Sequence, residues 1–166
     1  MKKDIDDTDL KRCGKLLIQH QLTITFAESA TAGRICAAFA MVPDAGKFLK
    51  GGIVCYDADL KCSLLNVPKK QLKEFTPESE TVTRGITEGL QQLIPADIHI
   101  GCTGLTAPGG SETLWKPVGT MFFHGIQGQQ QILDERIVFQ GNPEEIVSQT
   151  IIFLASQLHQ YLKDLK

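Results

Sequence analysis

The chain lacks a basic excess. Its 166 residues carry 17 Lys and Arg against 19 Asp and Glu, a net charge of −2, which argues against a dedicated nucleic-acid binder. It has no apolar run long enough to span a bilayer, so no membrane role is expected. The first residues, MKKDIDD, turn acidic where a secretion signal would turn apolar, and a cytoplasmic location is expected. The five cysteines (Cys13, Cys36, Cys55, Cys62, Cys102) are odd in number and hold no Cys-x-x-Cys pair. That speaks against a disulfide framework or a zinc site, and their apolar neighbours predict buried free thiols. His20, His99, His124 and His159 do not pair at a ligand spacing, so no metal and no cofactor is expected. No repeat, low-complexity tract or long linker divides the chain, and residues 1–166 are expected to form one domain. With 42% hydrophobic and 22% charged residues, wholesale disorder is excluded.

What is present is an alternation of strand and helix patterns. Residues 8–20 carry Leu10, Cys13 and Leu17 at helical spacing. Residues 22–26 are apolar or β-branched, a candidate buried strand. A helix is predicted over 31–41, halted by Pro43, then a strand over 51–56 and a short helix over 58–65. Residues 79–94 place Val82, Ile86, Leu90 and Leu93 on one helical face, with Ser79 as N-cap. Residues 98–102 form a short strand, and 118–126 with 131–139 form a hairpin around Gly128. The last helix opens with Asn142, Pro143 and Glu145, a capping-box pattern. Its predicted buried stripe is Ile146, Thr150, Phe153, Leu154, Leu158, Tyr161 and Leu165. The order predicts an α/β fold: a mixed, partly parallel sheet with helices on both faces, closed by a hairpin and a long helix.

Two loops after predicted strands can carry chemistry. The first, Ala27-Glu28-Ser29-Ala30-Thr31-Ala32-Gly33-Arg34, joins a buried strand to a helix and is rich in small hydroxyl residues. Free amides at a helix start favour a phosphate or a developing oxyanion, and Ser29 stands at the mouth of such a site. The alternative is that Ser29 or Thr31 only caps the helix. The second loop, from Thr103 and Gly104 through Thr106 to Gly110, has glycines that let backbone amides turn toward an anion. The alternative there is an ordinary surface loop. In open α/β sheets ligands gather beyond the carboxyl ends of strands, so the two loops can share one site. Between them stand Tyr56 and Lys61. Most lysines are ordinary surface groups, but one drawn into an apolar pocket loses its proton more easily and can take that of a serine hydroxyl. Trp115, in a loop beside Lys116, packs on the fold or stacks on a flat ring.

The motifs Ala-Glu-Ser-x-Thr, Gly-Gly-x-Val-x-Tyr followed by Lys, Ser79-Glu80, the Thr-Gly loop with Pro and Gly-Gly, and Lys116-Pro117-Val118-Gly119-Thr120 together resemble the C-terminal domain of the CinA (competence/damage-inducible) proteins. The resemblance runs from the first helix to the last and implies a stand-alone form. It implies a three-layer α/β/α fold, a homodimer, and a metal-independent amidohydrolase that converts nicotinamide mononucleotide to the carboxylate with release of ammonia. The implied partner is thus a small phosphorylated pyridine nucleoside, not nucleic acid or membrane. By the same resemblance Ser29 is the nucleophile and Lys61 its base, with Tyr56 beside it. Glu28, Ala30, Thr31 and Gly33 frame the substrate from the first loop, and Thr103, Gly104 and Thr106 from the second.

The chain also departs from the pattern. Ala32 stands where the family's Glu-Ser-x-Thr-Gly-Gly has glycine. The second loop, GLTAPGG, is one residue short, with Ala107 in place of a glycine. Asn142-Pro143 stands where an Asp-Arg is usual, and Val147 and Ser148 where further arginines are expected. A phosphate would then rely on Arg34, Lys116 or Arg84. These changes predict either an enzyme with a shifted substrate or a nucleotide-binding relative without turnover.

Overall fold

A computed structural model of the chain describes residues 7–165; the acidic stretch over 1–6 lies outside the described residues. The strands are β1 (Ile24–Glu28), β2 (Leu49–Val54), β3 (Ile98–Gly104), β4 (Thr120–Gln127) and β5 (Gln130–Val138). They form one sheet in the order β2-β1-β3-β4-β5. β1 runs parallel to both β2 and β3, and β4 and β5 return antiparallel. The mixed sheet predicted from the sequence is therefore the observed one.

The helices are α1 (Asp7–Gln19), α2 (Arg34–Ala40), α3 (Ala58–Ser63), α4 (Lys69–Phe75), α5 (Glu80–Leu93) and α6 (Pro143–Asp164). They cover both faces. On one, α1, α2 and α6 pack Leu17, Phe39, Ile151, Leu154 and Leu158 against Ile24, Phe26, Ile100 and Phe123 of the sheet. On the other, α5 brings Val82, Ile86 and Leu90 to Ala27 and Cys55, with Leu65 and Val67 alongside. Alternate residues of β1 thus face opposite cores, and all five are buried, as befits a central parallel strand covered on both sides. Each fully buried leucine or isoleucine contributes about 1.5–3 kcal/mol. None of the described helices is long and apolar enough to cross a membrane.

Several boundaries differ from expectation for physical reasons. β1 continues through Glu28, whose charge is absorbed by hydrogen bonds set out below. α2 starts at Arg34 because Ala32 (φ 48°) and Gly33 (φ 89°) are left-handed and break the first turn. α4 was not predicted; its sequence KKQLKEF buries no residue and offers no apolar stripe. In α5 Leu93 is exposed, not buried, because it sits in the last turn beyond the sheet. In α6 Phe153, Tyr161 and Leu165 are half-buried, while Val147, Ile151, Ala155 and Leu162 complete the inner face. The capping box is present as predicted. Asn142 Oδ1 accepts from the Glu145 amide at 3.0 Å, and Glu145 Oε2 accepts from the Asn142 amide at 2.8 Å. All five thiols are free; Cys13, Cys55 and Cys102 are buried, whereas Cys36 and Cys62 are partly exposed.

Candidate active site

Ser29 is the first residue beyond the carboxyl end of β1, where a parallel strand delivers its side chain to the edge of the sheet. Its amide donates to Cys102 O at 3.0 Å, so the ladder to β3 holds the residue rigidly. Lys61 approaches from α3, whose first turn is capped by Asp57 accepting from the Asp59 amide at 2.7 Å. The Lys61 side chain is completely buried. Its Nζ lies 3.0 Å from Ser29 Oγ and donates to Cys55 O at 2.8 Å and to Tyr56 O at 3.5 Å. No carboxylate forms an ion pair with it among the described residues. Burial therefore pushes its pKa below the ordinary lysine value, against smaller opposing contributions led by Cys55, Glu78 and Asp57.

Glu28, adjacent to Ser29, points to the opposite side of β1. Its carboxylate is buried and fills the start of α2. Oε2 accepts from Thr31 Oγ1 at 2.7 Å and from the amides of Gly33 at 3.1 Å and Ile35 at 3.0 Å; Oε1 accepts from the Cys36 amide at 2.7 Å. This corrects the expectation of free helix-start amides: the chain's own carboxylate takes them. The amides of Ala32 and Arg34 are also engaged, by Ser29 O and Thr31 O. Among the described residues those of Ala30 and Thr31 have no partner, directly after Ser29. The negative charge at Glu28 also raises the thiol pKa of Cys36 and Cys102, second to burial in both.

A cleft of about 210 Å³ opens above the Ser29–Lys61 pair, lined by Ser29, Ala30, Tyr56, Glu78 and the loop over 104–110. Of the residues singled out in the sequence, Ser29, Ala30, Tyr56, Gly104 and Thr106 meet there, with Lys61 buried beneath Ser29. Glu28, Thr31 and Gly33 stand behind it, tied to the start of α2. Thr103 is buried and turned toward α5, its hydroxyl 2.7 Å from that of Thr83. The Tyr56 side chain is two-thirds exposed at the mouth; only its backbone carbonyl reaches Lys61. Trp115 is exposed rather than packed on the fold.

From the sequence Glu78 goes unremarked, and Lys116 is only a candidate partner for a phosphate. Glu78 lines the cleft, and its Oε2 accepts from Ser111 Oγ at 2.5 Å. Lys116 Nζ donates to Ser111 Oγ (2.7 Å), Thr76 Oγ1 (2.7 Å) and Glu78 O (2.8 Å), strapping the second loop to the segment before α5. Thr76 sits at φ 67° and ψ 156°, a region nearly reserved for glycine, and this strap holds it there. No local pattern announces such a contact, because the partners are some forty residues apart. The arginines are committed elsewhere: Arg12 to Asp9, Arg34 to Glu144 at 3.9 Å, Arg84 to Asp134 at 2.8 Å, Arg136 to Trp115 O. None of the three cations expected near a phosphate lines the cleft; Lys116 bonds to the carbonyl of Glu78, which does. Among the described residues no group of three His, Cys, Asp or Glu side chains is placed to hold a metal ion.

The comparisons with known proteins agree with this architecture. A CinA-like protein of Thermotoga neapolitana is 32% identical over 150 residues, 90% of this chain and 36% of that protein. One from Dictyoglomus thermophilum is 38% identical over 107 residues, 64% of this chain and 26% of that protein. The chain thus spans about a third or less of the length of these relatives. The crystal structure of the competence damage-inducible protein A (ComA) of Klebsiella pneumoniae superposes with a TM-score of 0.90 at 26% identity, covering 96% of this chain and 98% of that one. A CinA superfamily protein of Escherichia coli gives 0.85 at 28% identity, covering 96% and 92%. The profile of the CinA C-terminal domain matches residues 7–162, and the chain belongs to that family.

Proposed function

We propose that the protein is an amidohydrolase acting on nicotinamide mononucleotide or a close relative, with Ser29 as nucleophile and Lys61 as its base. One observation carries this reading: a lysine buried without a carboxylate partner stands 3.0 Å from a serine hydroxyl at the floor of an open cleft. A lysine in such a place serves no ion pair, and burial favours its neutral amine, the form that accepts a proton at moderate pH.

The chemistry follows from that geometry. Neutral Lys61 Nζ takes the Ser29 hydroxyl proton as Oγ attacks the carboxamide carbon. The developing oxyanion is met by the unpartnered amide of Ala30, which lines the cleft, not by the helix start that Glu28 occupies. The tetrahedral adduct collapses by breaking the carbon–nitrogen bond. The leaving amine takes the proton from Lys61 and departs as ammonia, leaving an ester on Ser29. Water then gives a proton to Lys61, its oxygen attacks the ester, and the proton returns to Ser29 as the acid leaves. Tyr56 serves as an exposed wall on which the pyridine ring stacks.

The test is ammonia release from nicotinamide mononucleotide, nicotinamide riboside and simple amides, by the wild-type protein and by Ser29→Ala. Loss of the hydroxyl is expected to lower the rate by about three orders of magnitude or more. Near-normal turnover by Ser29→Ala would refute the assignment. The shortened second loop with Ala107 favours a second reading, a ligand-binding relative without turnover, which binding without any ammonia would establish.

A further inference from the structure

The Ser29–Lys61 pair gives the cleft a nucleophile but does not say which amide enters it. That is decided by the walls. Among the described residues that line the cleft one is an acid, Glu78, and none is a lysine, arginine or histidine. The rest of the lining is small or neutral: Ser29, Ala30, the ring of Tyr56 and the second loop. Lys61 is buried beneath Ser29, where burial favours its uncharged form. Arg34 and Arg84 pair elsewhere, with Glu144 and Asp134. The field inside the cleft is therefore set by one carboxylate.

Glu78 is fixed in this place through both its backbone and its side chain. Its carbonyl accepts from Lys116 Nζ at 2.8 Å, and its Oε2 accepts from Ser111 Oγ at 2.5 Å. Among the described residues Oε1 has no hydrogen-bond or ion-pair partner, so one carboxylate oxygen remains for a ligand. Lys116 does not line the cleft. It reaches the carboxylate only through the Ser111 hydroxyl, 2.7 Å from Nζ, so it weakens the field of Glu78 without filling the cleft. At the mouth Tyr56 is two-thirds exposed, and an aromatic face also attracts a cation. In an N-substituted pyridinium carboxamide the positive charge is spread over a ring bonded directly to the reacting carbon. With that carbon at Ser29, the ring shares the cleft with Glu78 and Tyr56.

We propose that Glu78 makes the cleft selective for cationic amides, of the class of N-substituted pyridinium carboxamides, over neutral amides of the same outline. The pyridine carboxamide as ligand rests on the amidohydrolase reading; the preference for a positive charge does not.

Binding is measured in Ser29→Ala protein, which keeps the cleft and lacks the nucleophile, so that the ligand is not consumed. Two probes are titrated by calorimetry at low ionic strength: nicotinamide riboside, a cation, and benzamide riboside, in which carbon replaces the charged ring nitrogen. The cation is expected to bind more tightly than its neutral counterpart. Glu78→Gln, added to Ser29→Ala, is expected to shrink that preference about two- to fivefold, the effect of one solvent-exposed ion pair, and to do so by weakening the cation. Glu78→Asp keeps a carboxylate and is expected to keep most of the preference, which separates the charge from any loosening of the Ser111 contact. An unchanged preference in Glu78→Gln, an equal loss of both probes, an equal effect of Glu78→Asp and Glu78→Gln, or failure of both probes to bind would each overturn the proposal. Ammonia release from nicotinamide riboside by the wild-type protein is read separately. Its absence would count against the hydrolase reading, while the binding preference still decides the role of Glu78.

Discussion

Replacing Glu28 with glutamine changes one atom and tests how the serine-bearing loop is held. The carboxylate accepts three hydrogen bonds at Oε2 and one at Oε1, from Thr31, Gly33, Ile35 and Cys36. A glutamine oxygen at the first position preserves three of them. The amide nitrogen then faces the Cys36 N–H, donor against donor. Leaving that buried donor unpaired costs about 1–3 kcal/mol. Losing the charge at the start of α2, a short helix, costs about 1 kcal/mol more. The total is about 2–4 kcal/mol, which for a chain of this size lowers the melting midpoint by about 5–15 °C. Thermal and urea unfolding of wild type and Glu28→Gln measure it. A loss below about 1 kcal/mol would show that the carboxylate does not organise the turn. Because Ser29 is the next residue, ammonia release is expected to fall as well, in kcat more than in KM.

Ammonia release should rise with pH through an ionisation below the ordinary lysine value, because the proposed reaction needs neutral Lys61 and burial lowers its pKa; Lys61→Arg, which cannot lose its proton, should be inactive across the range, and a normal profile in that variant would contradict the proposed role. Gly89→Ala should destabilise the fold by about 2 kcal/mol or more, since a Cβ there would collide with the backbone carbonyl of Leu65 that packs directly on α5. A denaturation midpoint equal to wild type would contradict that close approach.

The sheet was legible because its strands are short apolar runs set between turn residues, and α6 because Asn142, Pro143 and Glu145 spell out a capped start. Less was legible wherever a polar group is buried on purpose. Glu28 argues against a strand by propensity, yet it ends β1, because four hydrogen bonds replace the water it gives up. Ala32 is left-handed, which its identity does not announce. Ser29 and Lys61 were singled out, but pattern alone favoured a cap and a surface lysine; the pairing of Lys61 with Ser29, 32 residues earlier in the chain, exists only once α3 is folded against the end of β1. Thr103 looked like a loop residue, but β3 extends to Gly104 and strand alternation turns it toward α5. Glu78 and Lys116 depend on the path of the second loop, and local spacing has no way to express that path.

Burying Lys61 without an ionic partner sets function against stability, and the conflict has a measurable pH signature. In the unfolded chain the amine titrates near the ordinary lysine value; in the folded protein burial lowers its pKa. Between the two, the folded state binds fewer protons than the unfolded state, so stability rises with pH there, by at most about 1.4 kcal/mol per pH unit. Below the folded pKa the full cost of enclosing an ammonium remains. Lys61→Met keeps the length of the side chain and removes the titration. It forfeits the bond to Cys55 O and leaves Ser29 Oγ to water in the cleft. Its stability relative to wild type is therefore expected to be most favourable at neutral pH and to decline as pH climbs toward the unfolded lysine value. Urea unfolding of both proteins across that interval reads the difference directly. A gap independent of pH would mean that Lys61 keeps its ordinary affinity for protons when folded, and a lysine of that kind would be charged at neutral pH and unable to accept a proton from Ser29.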